Sequence, residues 1–298
     1  MTTRPNIYDL ITNRILDLLA EGVVPWRRPW SGEAARPKNL VSGKAYRGIN
    51  PFLLQCAGYD EPNWLTFRQA SKLGGAVRKG EKGMPVVFWK WHEIENIETG
   101  KSERVPVCRY YTVFNITQCD LPDDKRPEAV EVEQFDFEPI EHCDAVVAAM
   151  PKPPTIEYQG HQAVYQPQVD TVRIPEPSRF AQPAELYSTL FHELCHASGH
   201  QSRLNRKGIT QLTRFGSAEY AREELIAEIG ATYLCGHCGI ERETLDNSAA
   251  YIDTWMKRLR GDNRLVIVAG AAAQKASDYI LGQSWSEDDE NQPRSPSS

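Results

Sequence analysis

Apolar residues at the start of the chain recur at helical spacing. Ile7, Leu10, Ile11, Ile15, Leu18 and Leu19 fall on one side of an amphipathic helix over residues 6–21, and Gly22 follows as a stop. The pattern then lapses. Residues 25–50 are rich in Pro, Gly and Arg, which predicts an extended basic loop. Asn50-Pro51 marks another helix start, with Asn50 as cap and Pro51 in the first helical position. A further short helix opens near Thr66 and ends at Gly74-Gly75. Val86-Val-Phe-Trp-Lys-Trp91 and Cys108-Arg-Tyr-Tyr-Thr-Val-Phe114 are β-branched and aromatic, as strands are, with Thr99-Gly100 between them as a turn signal.

Residues 120–139 are acidic, carry three prolines and show little period, so they read as a linker. From 140 the pattern is mostly helical. Long helices are expected over 183–199, 217–235, 248–260 and 263–281, and a strand pair at Ala163–Tyr165 and Thr171–Ile174. The resulting fold class is α+β in two domains: an α+β domain over 1–122, a linker over 123–139 and a mainly helical domain over 140–283. The Ser-, Glu-, Asp- and Pro-rich stretch 284–298 is expected to be a disordered tail.

Composition changes this picture little: 298 residues, 41% hydrophobic and 25% charged, are ordinary for a globular chain. There is no apolar run of membrane-spanning length, and the first residues lack the apolar core of a secretory signal. Seven cysteines without framework spacing fit a reducing compartment. The expected location is therefore the cytoplasm, with no membrane partner. Charge is more informative. Residues 1–91 hold 14 Lys/Arg against 7 Asp/Glu, while 92–298 hold 20 against 33, so the halves are expected to meet different partners.

The acidic half contains His192-Glu193-Leu194-Cys195-His196 inside a predicted helix. Histidines at i and i+4 share a helix face and can reach one Zn²⁺ at about 2.0–2.1 Å. A Glu directly after the first His lies toward the water that a catalytic zinc carries, where it can act as general base. A third ligand is then required. His200 is eight residues from His192, about 12 Å along a helix, and cannot join the same ion unless the helix breaks at Gly199. The metzincin position of a third His is Ser202 here. Glu224 and Glu228 share one face of the following helix, offering one metal ligand and one carboxylate to orient a ligand His. Zincins with a Glu third ligand resemble this arrangement. That resemblance favours Glu224 on the metal and Glu228 behind it, with the reverse as the alternative. Glu223 reads best as part of a solvated stripe. Zn²⁺ is the expected ion; Mn²⁺ or Co²⁺ fit the same donors. Cys235-Gly-His-Cys238, a single C-x-x-C, reads as two core thiols at a helix end.

In the basic half, cations and aromatic rings are interleaved. The candidate DNA contacts are Trp26, Arg27, Arg28, Trp30, Lys38, Lys44, Tyr46, Arg47, Arg78, Lys79 and Lys82, with Trp64, Phe88, Trp89 and Trp91 close by. Cations neutralise phosphates, and aromatic faces stack on unpaired bases, so the combination suggests a single-stranded nucleic-acid groove. The plainer reading is a set of core aromatics and a solvated basic loop. Strand alternation places Phe88 on the opposite face from Trp89 and Trp91, so one set can be core and the other exposed.

Taken together, the motifs resemble the ArdC-type plasmid antirestriction proteins, whose N-terminal domain also stands at the front of some plasmid primases. The residues that carry the resemblance are Asn6-Ile-Tyr-Asp-Leu-Ile-Thr, Pro25-Trp-Arg-Arg-Pro-Trp30, Gly43-Lys-Ala-Tyr-Arg-Gly-Ile-Asn-Pro51, Trp64-Leu-Thr-Phe-Arg-Gln-Ala and Tyr111-Thr-Val-Phe-Asn-Ile-Thr-Gln118. In the second half they are Phe191-His-Glu-Leu-Cys-His-Ala-Ser-Gly-His200, Tyr220-Ala-Arg-Glu-Glu-Leu-Ile-Ala-Glu228 and Tyr251-Ile-Asp-Thr-Trp255. The resemblance implies a single-stranded-DNA-binding domain followed by a zincin-like metallopeptidase domain, and a role in protecting incoming plasmid DNA during conjugation. A host protein is a candidate peptidase substrate. Two alternatives stand beside this expectation: a DNA-binding shield with a purely structural metal site, and a metallopeptidase whose basic domain binds acidic proteins.

Overall fold

The computed structural model describes residues 6–21, 24, 36–59, 61–95, 102–127, 139–211, 217–240 and 249–283. Helix α1 (Ile7–Ala20) is capped by Asn6, whose side chain accepts from the Tyr8 N–H, and it buries Ile7, Ile11, Ile15, Leu18 and Leu19. A sheet of order β1-β2-β5-β4 follows, built from β1 (Lys38–Asn39), β2 (Asn63–Thr66), β4 (Met84–Glu95) and β5 (Ser102–Asn115). Strand β1 runs parallel to β2, and the other pairs are antiparallel. Because β2 meets β5 only at Val113–Asn115, the outer length of β4 and β5 stands out as a two-stranded ribbon. Helix α3 (Phe67–Lys72) carries a Thr66–Gln69 capping box, and β3 (Ala76–Val77) pairs with β6 (Cys119–Asp120).

Helix α2 (Asn50–Gln55) corrects the expected cap. Ile49 occupies the cap position, and Asn50 is spent elsewhere. Its Nδ2 donates to the Val87 carbonyl and its Oδ1 accepts from the Val87 N–H, both at 2.7 Å, pinning α2 onto β4. Trp64 is 1% exposed and belongs to the core, not to a binding surface.

The second half comprises α4 (Pro139–Ala149), the three-stranded sheet β7 (Thr155–Tyr158), β9 (Thr171–Ile174) and β8 (Val164–Gln166) in that spatial order, and the helices α5 (Pro183–Ser198), α6 (Lys207–Thr210), α7 (Ala218–Cys238), α8 (Ala249–Gly261) and α9 (Leu265–Ile280). Helix α7 packs against both α5 and α9. Gly230 permits the approach to α5: a Cβ there would meet Cys195 Sγ at 2.6 Å. Cys195, Cys235 and Cys238 are all buried thiols. Among the described residues, no helix is long and apolar enough to cross a membrane.

The two halves share a core. Ile11, Ile15, Phe52, Leu53 and Val87 from the first pack with Leu225, Ile229, Tyr233, Trp255, Leu259 and Val266 from the second. Gly270 on α9 comes so near Ile49 that a Cβ would lie 2.4 Å from its Cδ1. Polar ties cross the same seam: Arg47 Nη2 to Asp278 Oδ2 at 2.5 Å, and the Tyr233 hydroxyl to the Gly48 carbonyl at 2.7 Å. The Thr99-Gly100 turn, residues 128–138 of the linker stretch and the 284–298 stretch lie outside the described residues.

Candidate metal centre

Helix α5 presents His192 and His196 one turn apart toward α7, with their Nε2 atoms 3.2 Å apart. Glu224 on α7 brings Oε2 to 3.8 Å from His192 Nε2 and Oε1 to 3.8 Å from His196 Nε2. One ligand atom from each of the three lies within 4.8 Å of the others. Tetrahedral donors on bonds of about 2.0–2.1 Å stand about 3.3–3.4 Å apart, so this group needs only small shifts to hold one ion. Glu228 is outside the group.

The carboxylate beside a ligand His belongs to Glu223. Its Oε1 lies 3.5 Å from His196 Nδ1, and Arg206 grips both carboxylate oxygens, through Nη2 at 2.5 Å and Nε at 3.1 and 3.2 Å. Arg206 also donates to the Cys195 carbonyl and to Ser198 Oγ, so it is tied to the end of α5. Glu223 is 5% exposed, which corrects its reading as part of a solvated stripe. The signal was available in part. Glu223 is in line with Ala227, Gly230 and Leu234, the buried face of α7. Arg206, reached through a turn after α5, carries no such signal in sequence.

Electrostatics favour a cation here. Burial alone would lower the His196 pKa, but the Glu223 carboxylate facing its Nδ1–H and the charges of Glu193, Glu224 and Glu223 push it up to about 9. Burial would raise Glu223, yet His196 and Arg206 hold it at about 2. An acidic pocket that keeps an imidazole protonated is short of positive charge, and a divalent ion supplies it in place of the proton. Glu193 is buried, which raises its pKa. The charge of His196 and a hydrogen bond from the Tyr165 backbone oppose that rise, and Glu224 adds to it. The Tyr220 hydroxyl is pushed up to about 12 by burial and by its contact with Glu224. His200 faces away, with Nδ1 2.8 Å from Ser202 Oγ.

The basic half is more dispersed than its sequence suggested. Trp26, Arg27, Arg28 and Trp30 lie outside the described residues. Lys44, Lys79 and Lys82 are exposed and Lys38 is half-buried. Arg47 is a correction: its guanidinium faces inward to Asp278, a partner from the other half that no local pattern reveals. Arg78 is also engaged, with Glu81, Asp120 and the Thr117 carbonyl, though it stays half-exposed. Tyr46 is mostly covered, and its hydroxyl accepts a hydrogen bond from Asn39 Nδ2 at 3.4 Å.

Residues 5–114 match the N-terminal domain of the anti-restriction factor ArdC, and residues 141–274 match the zincin-like metallopeptidase family. Two Escherichia coli DNA primases named TraC are each 33% identical to the chain over 92% and 94% of its length; the chain spans only 27% and 20% of theirs. An uncharacterised Sinorhizobium fredii protein, y4eC, is 34% identical over 94% of this chain and 93% of its own. Two crystal structures of the antirestriction ArdC protein from plasmid R388 superpose well. The metal-free form has 38% identity and a TM-score of 0.72, and the Mn(II)-bound form 37% and 0.71; each match covers 93% of this chain and 97% of the other.

Proposed function

Because the chain belongs to the ArdC antirestriction family, we propose that it is a single-stranded-DNA-binding protein with a metal-dependent peptidase centre. It would act in the cytoplasm, shielding incoming plasmid DNA from restriction during conjugation. The domain division is 1–122 for DNA and 140–283 for the metal centre. The observation that carries the second half is the convergence of His192, His196 and Glu224 beside the buried Glu193.

In this reading His192, His196 and Glu224 hold one divalent ion, Zn²⁺ by preference of the donor set, with Mn²⁺ or Co²⁺ accepted on the same atoms. When bound, the ion would supply Lewis-acid chemistry toward a peptide carbonyl and a water. Glu193 takes the proton of the attacking water and hands it to the leaving amine; its raised pKa suits the second task. Glu223 fixes the orientation of His196 through Nδ1, the role expected of Glu228. Tyr220, beside Glu224 and near the charge of Glu193, is the hydroxyl placed to steady a developing oxyanion. The Tyr233 hydroxyl, by contrast, donates to the Gly48 carbonyl. On the DNA side, Lys38, Lys44, Lys79 and Lys82 would meet phosphates together with the Trp26–Trp30 segment.

The test has two arms on the full chain. Titration with single-stranded and duplex DNA should show preference for single strands. Incubation of the metal-loaded protein with unfolded proteins, and with itself, should show cleavage that Glu193→Ala removes. A chain that binds DNA and metal yet cleaves nothing supports the shield with a structural metal instead.

A further inference from the structure

Paired residues of an antiparallel ladder point to the same side, so the register Val86↔Tyr111 and Phe88↔Arg109 puts these four on one face of the β4–β5 ribbon. The opposite face, with Val87, Cys108 and Tyr110, packs into the core shared with α1 and the C-terminal helices. Near the base of the ribbon the first face is also covered, where Met84, Val86 and Val113 meet Leu54 and Trp64. Farther out it is open: Tyr111 is 47% exposed and Arg109 is exposed. The rings of Phe88 and Tyr111 are parallel within 3°, with centroids 4.5 Å apart. The pair is an offset stack with Tyr111 on the solvent side.

Core packing explains Val86 and Met84 but not this stack. A half-exposed ring already stacked on a second ring fits a further flat ring. The charge around it says which kind. Arg109 lies beside the stack, Lys82 is exposed just before β4, and Lys44 is exposed next to Tyr46, which packs on the same base cluster. Residues 1–91 carry twice as many Lys/Arg as Asp/Glu. Aromatic rings joined by anionic links are the chemistry of an unpaired polynucleotide; bases inside a duplex have no free faces. We propose that Tyr111, backed by Phe88, is a stacking platform for a base of single-stranded DNA, and that Arg109 meets an adjoining phosphate. The proposal rests on the single-stranded-DNA reading above and gives it a place outside the Trp26–Lys82 region.

The experiment is anisotropy of a labelled oligothymidylate with the full chain across a salt series, for wild type, Tyr111→Ala, Tyr111→Phe and Arg109→Ala. Tyr111→Ala should weaken binding about ten- to a hundredfold at every salt with the slope unchanged. Tyr111→Phe, which keeps the ring, should bind as wild type. Arg109→Ala should reduce the log–log salt slope by about 0.7. Thermal melting of each variant checks the fold, and Tyr111→Thr, a good strand former, repeats the test should Tyr111→Ala melt early. If wild type binds the oligonucleotide and both ring-less variants bind equally well, the platform is wrong and the DNA reading stands. If wild type itself does not bind at low salt, both fall. Equal losses for duplex and single strands would also overturn stacking.

Discussion

Glu223 Oε1 and His196 Nδ1 face each other at 3.5 Å across the seam of α5 and α7, and Arg206 holds the same oxygen from behind at 2.5 Å. In the proposed site, the chain Arg206–Glu223–His196 would set both the ring orientation and the tautomer of one ligand.

Glu223→Gln keeps the volume but removes the charge. It should weaken metal binding about 10–100-fold, the usual effect of losing such a partner, while Glu228→Gln should do less. Arg206→Ala should act in the same direction and also lower stability by about 3–5 kcal/mol, because the buried Glu223 loses the guanidinium that binds both its oxygens. Competition against a chelating dye, with thermal melts in parallel, checks both. Equal effects of the Glu223 and Glu228 changes would return the orienting role to Glu228.

Glu193→Ala should separate chemistry from binding. With the proposed ligands untouched, metal content should stay at the wild-type level while peptide hydrolysis falls by about 10²–10⁴-fold. Loss of metal together with activity would make Glu193 a structural part of the site.

Asp170 and Arg203 should set a pH-dependent share of stability. Arg203 is buried; its Nη1 and Nη2 each donate to an Asp170 oxygen at 2.8 Å, and its Nε donates to the Lys152 carbonyl. Burial raises the Asp170 pKa, but the bonds from Arg203 and from the Tyr165 hydroxyl outweigh it and leave the carboxyl below its ordinary 3.8. A lowered carboxyl contributes stability that is fully present above the unfolded value and is lost as pH falls through the folded one. Asp170→Asn should cost about 1.5–3 kcal/mol near neutrality, the range for hydrogen bonds to a charged group, and flatten the acid limb of a stability–pH curve below about pH 4. Urea melts from pH 3 to 7 measure this; parallel curves for variant and wild type would refute it.

The shared core predicts what a cut chain does. A nick within 123–139 should leave the two pieces bound to each other, since Phe52, Leu53, Ile11 and Ile15 are buried partly against α7, α8 and α9. Size exclusion of the nicked protein should give one peak that splits only in denaturant. Two folded species in native buffer would show that the halves are independent.

The legible parts of the sequence were those with long periods. Helices α1, α5, α7, α8 and α9 carry several turns of apolar spacing, and the i, i+4 spacing of His192 and His196 places both on one helix face, as α5 does. Strands β1, β3 and β6, of two residues each, are too short to show a period, and β7 is only half-buried along its length. Other misses have one cause: a polar group whose partner is distant in sequence. Asn50 reads as a cap but is bound to Val87, Arg47 as a phosphate contact but faces Asp278, and Glu223 as solvated but is held by Arg206. Trp64, by contrast, sits in a strand like any core aromatic, and its basic neighbours misled.

The most direct test of the metal centre is elemental analysis of the purified full chain after loading with Zn²⁺ or Mn²⁺ and desalting, compared with a His192→Ala, His196→Ala double variant. The account predicts one tightly held divalent ion per wild-type chain and none in the double variant, with both proteins folded by circular dichroism. Full occupancy in the double variant, or no retained ion in the loaded wild type, would contradict it.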